Sequence, residues 1–195
     1  MSLPLALARI DQIERALVPQ PVATSPATAV AAAPSATAPA ASASFAQLLG
    51  TAGGSPMTTI AAAEVGQSEQ PPGTNDSPRI AQYRTATAGS GVGPWCAYFV
   101  SWVARQAGAP LGDHGEGFGS VDQLYAWAQR TGRAMPNGPG VVPRPGDLIV
   151  FDEHVGIVEQ VLPDGRIQTL EGNSSDRVSR NVHEISDPLG YVRMG

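Results

Sequence analysis

The sequence contains no lysine. All twelve basic residues are arginine, so Schiff-base chemistry and a lysine general base are excluded. It contains one cysteine, Cys96, which makes no internal disulfide and so reports nothing about the redox compartment. Charged residues make up 15%, against roughly 25% in ordinary globular chains. The formal net charge is −5, which argues against a general nucleic-acid-binding surface. There is no apolar run of the roughly 18 residues that a membrane-spanning helix needs. A secretory signal is not expected either. The apolar stretch Leu3 to Ala8 is short, no basic residue precedes it, and Arg9, Asp11, Glu14 and Arg15 follow directly.

What the chain does have in quantity is Gly (22) and Pro (18), which signals much loop or linker. Residues 1–17 place Leu5, Ala6, Ile10, Ile13 and Leu17 near helical spacing, a short amphipathic helix ended by Pro19 and suited to docking. Residues 18–77 read as a low-complexity linker, with a small apolar island at Phe45–Leu49. At Asn75-Asp76-Ser77-Pro78 a capping residue followed by proline predicts a helix start. A second helix is expected over about 95–107, stopped by Gly108 and Pro110. Ser120 opens a third, with Val121, Leu124, Trp127 and Ala128 inward.

Beyond residue 140 the period changes to alternation. Strands are expected at 148–151, 154–162, 166–171, 177–184 and 190–193, with Pro163-Asp164-Gly165 as a hairpin turn. Helices first and an antiparallel meander afterwards predict an α+β domain over residues 78–195.

Cys96 falls just after Gly93-Pro94-Trp95, in the first turn of its helix. Free backbone N–H groups and the helix dipole favour an anion there. Taken alone it is equally a core-filling thiol. A nucleophilic cysteine needs a base within reach and a third group to orient that base. His154 opens a strand and shares a face with Gly156, which leaves space beside the ring. Pairing about the turn places residue 157 opposite 171, give or take two, so His154 meets Glu171 or Asn173. His114 lies between Asp113 and Glu116 in a Gly-rich loop, but three neighbouring loop residues without a distant ligand make a weak metal site. No metal or cofactor is expected.

Gly-Pro-Trp-Cys-Ala-Tyr-Phe-Val-Ser-Trp at 93–102, Pro-Arg-Pro-Gly-Asp-Leu-Ile-Val-Phe at 143–151, His-Val-Gly-Ile-Val at 154–158 and Glu-Gly-Asn at 171–173 together resemble a CHAP domain. This is the cysteine, histidine-dependent amidohydrolase/peptidase branch of the NlpC/P60 superfamily. The resemblance implies a papain-like fold and cleavage of an amide bond in peptidoglycan. It implies Cys96 as nucleophile, His154 as base and then acid, Glu171 as the orienting group, and Asn173 as an additional polar position. Tyr83 is the candidate second oxyanion donor beside the Cys96 N–H. Trp95 and Phe118 are candidate groove residues.

The pattern Arg9-Ile10-x-x-Ile13-Glu14 with Ser44-Phe45-Ala46-x-Leu48-Leu49 resembles N-terminal segments of bacterial flagellar rod and basal-body proteins. That resemblance implies flagellar partners through residues 1–50 and work at the cell wall without Sec export. A cytoplasmic location is the alternative. The rival to a peptidoglycan hydrolase is a non-catalytic wall-binding or assembly module that keeps the fold.

Overall fold

Serine stands before proline at Ser55-Pro56 and again at Ser77-Pro78, and each pair starts a helix. In the computed structural model, which describes residues 54–195, Pro56–Ala63 form α1 and Pro78–Arg84 form α2. Ser55 Oγ accepts the Thr58 N–H at 3.2 Å and Ser77 Oγ accepts the Ile80 N–H at 3.2 Å. These caps satisfy backbone donors that a helix start leaves free. The helix expected at 1–17 and the apolar island at 45–49 lie outside the described residues, and the flagellar resemblance lies there with them.

α1 corrects the expected boundary at residue 78. Its sequence, PMTTIAAA, has small residues where a large apolar stripe would have been recognised. Small side chains let the helix lie close to its neighbours. Met57 and Ala61, one turn apart, are both buried in the main core. The chain after α1 is packed too. Gly66 N–H donates to Val178 O at 2.9 Å, Val178 N–H to Gln67 O at 2.8 Å, and Glu69 N–H to Asp176 O at 3.0 Å. Residues 66–69 thus run along an edge strand of the sheet.

Two buried carboxylates fasten this segment to the helices. Glu64 pairs with the Arg79 guanidinium and accepts the Tyr83 hydroxyl at 2.6 Å. Burial pushes the Glu64 carboxyl up, but Arg79 and Tyr83 together hold it below its ordinary value. Glu69 accepts the Trp95 indole N–H at 3.0 Å and the Asn75 N–H at 2.8 Å. A chain trimmed to begin at residue 78 would leave the Tyr83, Trp95 and Arg79 donors without these acceptors. It would also lose the apolar burial of Met57. At about 1–3 kcal/mol for each unpaired buried group and about 2 kcal/mol for the methionine, the expected loss is about 5 kcal/mol. Thermal melting should place that chain about 15 °C below one beginning at residue 54.

α3 (Cys96–Gln106) and α4 (Val121–Arg130) follow. Ser120 Oγ accepts the Gln123 N–H at 3.4 Å and caps α4, whose Leu124, Trp127 and Ala128 are buried as expected. Six antiparallel strands complete the domain among the described residues. They are β1 (Ala134–Pro136), β2 (Leu148–Val150), β3 (Val155–Val161), β4 (Ile167–Ser174), β5 (Arg177–His183) and β6 (Gly190–Val192). Their order is β1-β6-β2-β3-β4-β5. β2 to β5 form the expected meander. β6 instead returns to the far side of β2, pairing Val150 with Gly190, and β1 pairs beyond it. β1 was not foreseen. It is three residues long and ends in proline, a pattern tolerated at a sheet edge.

One face of the sheet packs on α3, burying Leu148, Ile157, Leu170, Phe99 and Val103 in a single cluster. The other face carries a smaller cluster of Ile149, Val158, Ile167 and Tyr191, with Phe151 and Met135 against it. No described helix is long and apolar enough to cross a membrane.

Candidate active site

Serine caps α1, α2 and α4. α3 has no side-chain cap, and Trp95 occupies its N-cap position. The first helical bond of α3 runs from Phe99 N–H to Trp95 O at 2.9 Å. The N–H groups of Cys96, Ala97 and Tyr98 therefore begin the helix with no intrahelical acceptor. Cys96 is its first residue and is 4% exposed. Trp95 beneath it is fully buried and tied to Glu69, which fixes the start of α3.

The tight turn between β2 and β3 presents His154. Phe151 N–H donates to His154 O at 2.8 Å and closes that turn. The His154 Nε2 lies 2.9 Å from Glu171 Oε2. Cys96 lies near enough to the His154 ring to raise its pKa, and Nδ1 is the ring nitrogen that Glu171 does not engage. Helix α3, the β2–β3 turn and β4 thus each supply one member of a Cys–His–Glu arrangement.

Glu171 is buried, at 2% exposure, and is saturated with donors. Its Oε2 also accepts Asn181 Nδ2 at 2.7 Å. Its Oε1 accepts Thr169 Oγ1 at 2.5 Å and His183 Nε2 at 2.6 Å. Burial alone would push the Glu171 carboxyl up. The hydrogen bonds from His154, Thr169 and His183 overcome it and hold the pKa at about 2. Burial alone would likewise pull His154 down, but hydrogen bonding and charge from Cys96 and Glu171 raise it to about 9.

These shifts set a pH window. Glu171 titrates lower folded than unfolded, so its contribution is present above about 4.5 and is lost as pH falls toward about 2. His154 titrates higher folded than unfolded, so its contribution is present below about 6.5 and is lost as pH rises toward about 9. The pair therefore stabilises most between about pH 4.5 and 6.5. The difference in Tm between wild type and Glu171→Gln, measured across pH, should be largest in that window and shrink on both sides.

Two glycines permit the arrangement. A Cβ on Gly172 would stand 2.5 Å from Phe99 Cβ and 2.9 Å from Trp95 Cζ3, so β4 meets α3 at contact distance there. Gly156 is not beside open space as expected. A Cβ there would stand 2.7 Å from Glu171 Cγ, because the stem of Glu171 fills that gap on its way to His154. Gly172→Ala must separate α3 from β4, and with them Cys96 from Glu171. An overpacking cost of about 1–3 kcal/mol and a clear loss of activity are expected, read by thermal melting and by turnover.

An open cleft of about 380 Å³ lies against the thiol. It is lined by Cys96, Ala97, Tyr98, Ser120, Asp122 and Asp152, among others. A family model for the CHAP domain matches residues 87–173. This stretch is similar to a CHAP domain. No curated protein and no solved structure matches the chain. The matched residues contain Cys96, His154 and Glu171. A CHAP domain is the type found in cysteine, histidine-dependent amidohydrolases and peptidases.

Three other expected residues fall elsewhere. Tyr83 is fully buried, with its ring against Trp95, Phe99 and Trp102 at 5.9, 5.3 and 5.2 Å. Burial, and the Glu64 carboxylate that accepts its hydroxyl hydrogen bond, push its pKa up. It is a core residue and not an oxyanion donor. Trp95 underlies the cleft and does not line it. Phe118 packs on Trp127 at 5.5 Å, and its backbone is held by Ser101 Oγ. Tyr98, Ser120 and Asp122 form the wall in their place. Asn173 has φ of 59° and sits where β4 and β5 slip register between Glu171 and Ser174. Asn173 is not among the groups hydrogen-bonded to His154 or Glu171.

His183, Asn181 and Thr169 were missed as neighbours of the site. The signal lay in alternation. Residues 167, 169 and 171 share one face of β4, and 179, 181 and 183 share that face of β5. Within the loop after α3, Asp113 accepts Trp127 Nε1 at 3.0 Å and pairs with Arg130, and Glu116 accepts the His114 N–H. Among the described residues no group of three or more His, Cys, Asp or Glu is placed to hold a metal ion.

Proposed function

We propose that this CHAP-like domain hydrolyses an amide bond of peptidoglycan through a Cys96 thioester. The observation that supports this reading most is the contact series Cys96–His154–Glu171 beside an open cleft.

His154 Nδ1 takes the Cys96 proton, and the sulfur attacks the amide carbonyl carbon. The carbonyl oxygen becomes an oxyanion, for which the Cys96 backbone N–H is a donor. Collapse of this intermediate breaks the C–N bond, and the imidazolium returns its proton to the leaving amine. Water, deprotonated by His154, then attacks the thioester and frees the acid and the thiol. Glu171 keeps the imidazolium oriented and balanced in charge without itself taking the proton. The cleft wall carries Asp122, Asp152 and Glu153 and no arginine. That wall favours a stem-peptide segment bearing a free amine over one bearing a carboxylate. Such a substrate puts the work of the chain at the cell wall.

Mass spectrometry of muropeptides released from purified peptidoglycan tests the reading. Free stem peptides identify an amidase, and shortened stems or split crossbridges identify an endopeptidase. Glycan fragments with intact stems would contradict it, because that bond is not an amide.

A further inference from the structure

The Glu171 carboxylate is shared between two histidines. His154 Nε2 lies 2.9 Å from Oε2, and His183 Nε2 lies 2.6 Å from Oε1. His183 ends β5 and is paired in register with Ile167, four residues before Glu171. The two side chains therefore lean toward each other along the sheet, over the Thr169–Asn181 pair. Phe151 lies between the two imidazoles, 4.7 Å from the ring of His183 and 6.2 Å from that of His154.

We propose that His183 is a positioning residue whose Nε2–H, donated to Glu171 Oε1, fixes the carboxylate so that Oε2 faces His154. The importance of His154 to turnover rests on the hydrolase reading, but the geometry of the Glu171 clamp does not.

Three side chains besides His154 hold Glu171, and they are not equivalent. Thr169 Oγ1 has a second acceptor in Asn181 O at 3.4 Å. Asn181 Nδ2 also serves Ser174 Oγ at 2.8 Å. Glu171 is the sole hydrogen-bond partner of the His183 ring among the described residues. The Phe151 contact holds the ring where that bond needs it. With His183 removed, Oε1 keeps only a hydroxyl that has another acceptor at hand. The carboxylate is then free to rotate, and Oε2 leaves His154. The CHAP match ends at residue 173, so His183 and Asn181 lie beyond the matched stretch.

The titratable groups against His154 are Cys96 from α3 and Glu171 from β4, with Asp152 and Glu153 in its own turn. His183 acts on it only through Glu171. Loosening Glu171 removes part of what raises His154, so the titration of His154 moves down in pH. Loss of packing alone has no reason to move it in a way that depends on a donor at position 183.

The test uses the full chain with His183→Ala, His183→Gln and His183→Phe. Glutamine carries an N–H donor at about the reach of Nε2. Phenylalanine keeps the stack on Phe151, removes the donor and replaces the alanine variant should that one unfold. The His154 ring proton is followed by NMR across pH, and kcat and KM are measured on a soluble peptidoglycan fragment. In the alanine or phenylalanine variant the His154 midpoint should fall by about one unit, a tenfold loss of proton affinity. In the same variant kcat should fall about tenfold with KM within about twofold. His183→Gln should restore both. A His154 midpoint unmoved by loss of the donor, or a glutamine variant as impaired as the phenylalanine one, would overturn the proposal. If the wild type cleaves no peptidoglycan, the hydrolase reading fails, while the NMR titration still decides the role of His183.

Discussion

His154→Ala is expected to lower kcat on peptidoglycan fragments by about 10⁴-fold while leaving the fold in place. The size follows from what the ring does. It removes the thiol proton, delivers a proton to the leaving amine and activates the water that hydrolyses the thioester, so one truncation impairs every step. Residues that act as such a unit lose activity together, and their effects do not add. The double variant Cys96→Ala/His154→Ala should therefore be no worse than either single variant by more than a few-fold. Stability should fall by no more than the contribution of the His154–Glu171 pair at the pH of the measurement. His154 stands at the turn before β3, and Glu171 keeps Thr169, Asn181 and His183 as donors without it. Steady-state kinetics with thermal melting of the same samples separates the two effects. A full drop in kcat together with a collapsed Tm would show that the residue is structural.

Glu171→Gln is expected to cost about 10³-fold in kcat, and unlike His154→Ala it should also destabilise the protein. The carboxylate accepts from four side chains at once. An amide has only one oxygen, so whichever way it is turned its NH₂ faces donors. Either His154 and Asn181 or Thr169 and His183 lose their acceptor. At about 1–3 kcal/mol for each buried group left unpaired, a loss of about 3 kcal/mol is expected. The chemical effect is separate. Without the carboxylate charge His154 titrates below its value of about 9, and the imidazolium that must protonate the leaving amine loses its counter-charge. The pH–activity profile should narrow from its basic side. A Glu171→Gln enzyme with wild-type turnover and an unchanged profile would remove Glu171 from the machinery.

Much of this arrangement was legible because it depends on local chemistry. Ser77-Pro78 and Ser120 announce helices through backbone capping, which needs no tertiary partner. Gly93-Pro94 before Cys96 announces another. Alternation after residue 140 gave β2 to β5, and the turn at Pro163–Gly165 gave their register closely enough to join His154 to Glu171. The observed pairing is Ile157 with Leu170. What escaped was decided by tertiary contacts. α1 is made of small residues that are unremarkable until Met57 and Ala61 meet the core. Tyr83 looked available for chemistry because nothing in the sequence shows that Glu64 takes its hydroxyl. β1 and the return of β6 to β2 depend on long-range pairing. Nothing near His183 in the sequence marks it, because its partner lies on the neighbouring strand, four residues out of register. The room that Gly156 leaves is taken by the stem of Glu171 and not by His154.

The proposed chemistry depends on Cys96 as a nucleophile in a working site. The most direct measurement is digestion of purified peptidoglycan by the full chain, followed by release of soluble fragments over time, with Cys96→Ala run beside it at equal concentration. The expected result is steady release by the wild type and none above background by a Cys96→Ala protein with an unchanged melting temperature. Equal release by both would contradict the thiol mechanism, since no other group in the cleft replaces the sulfur.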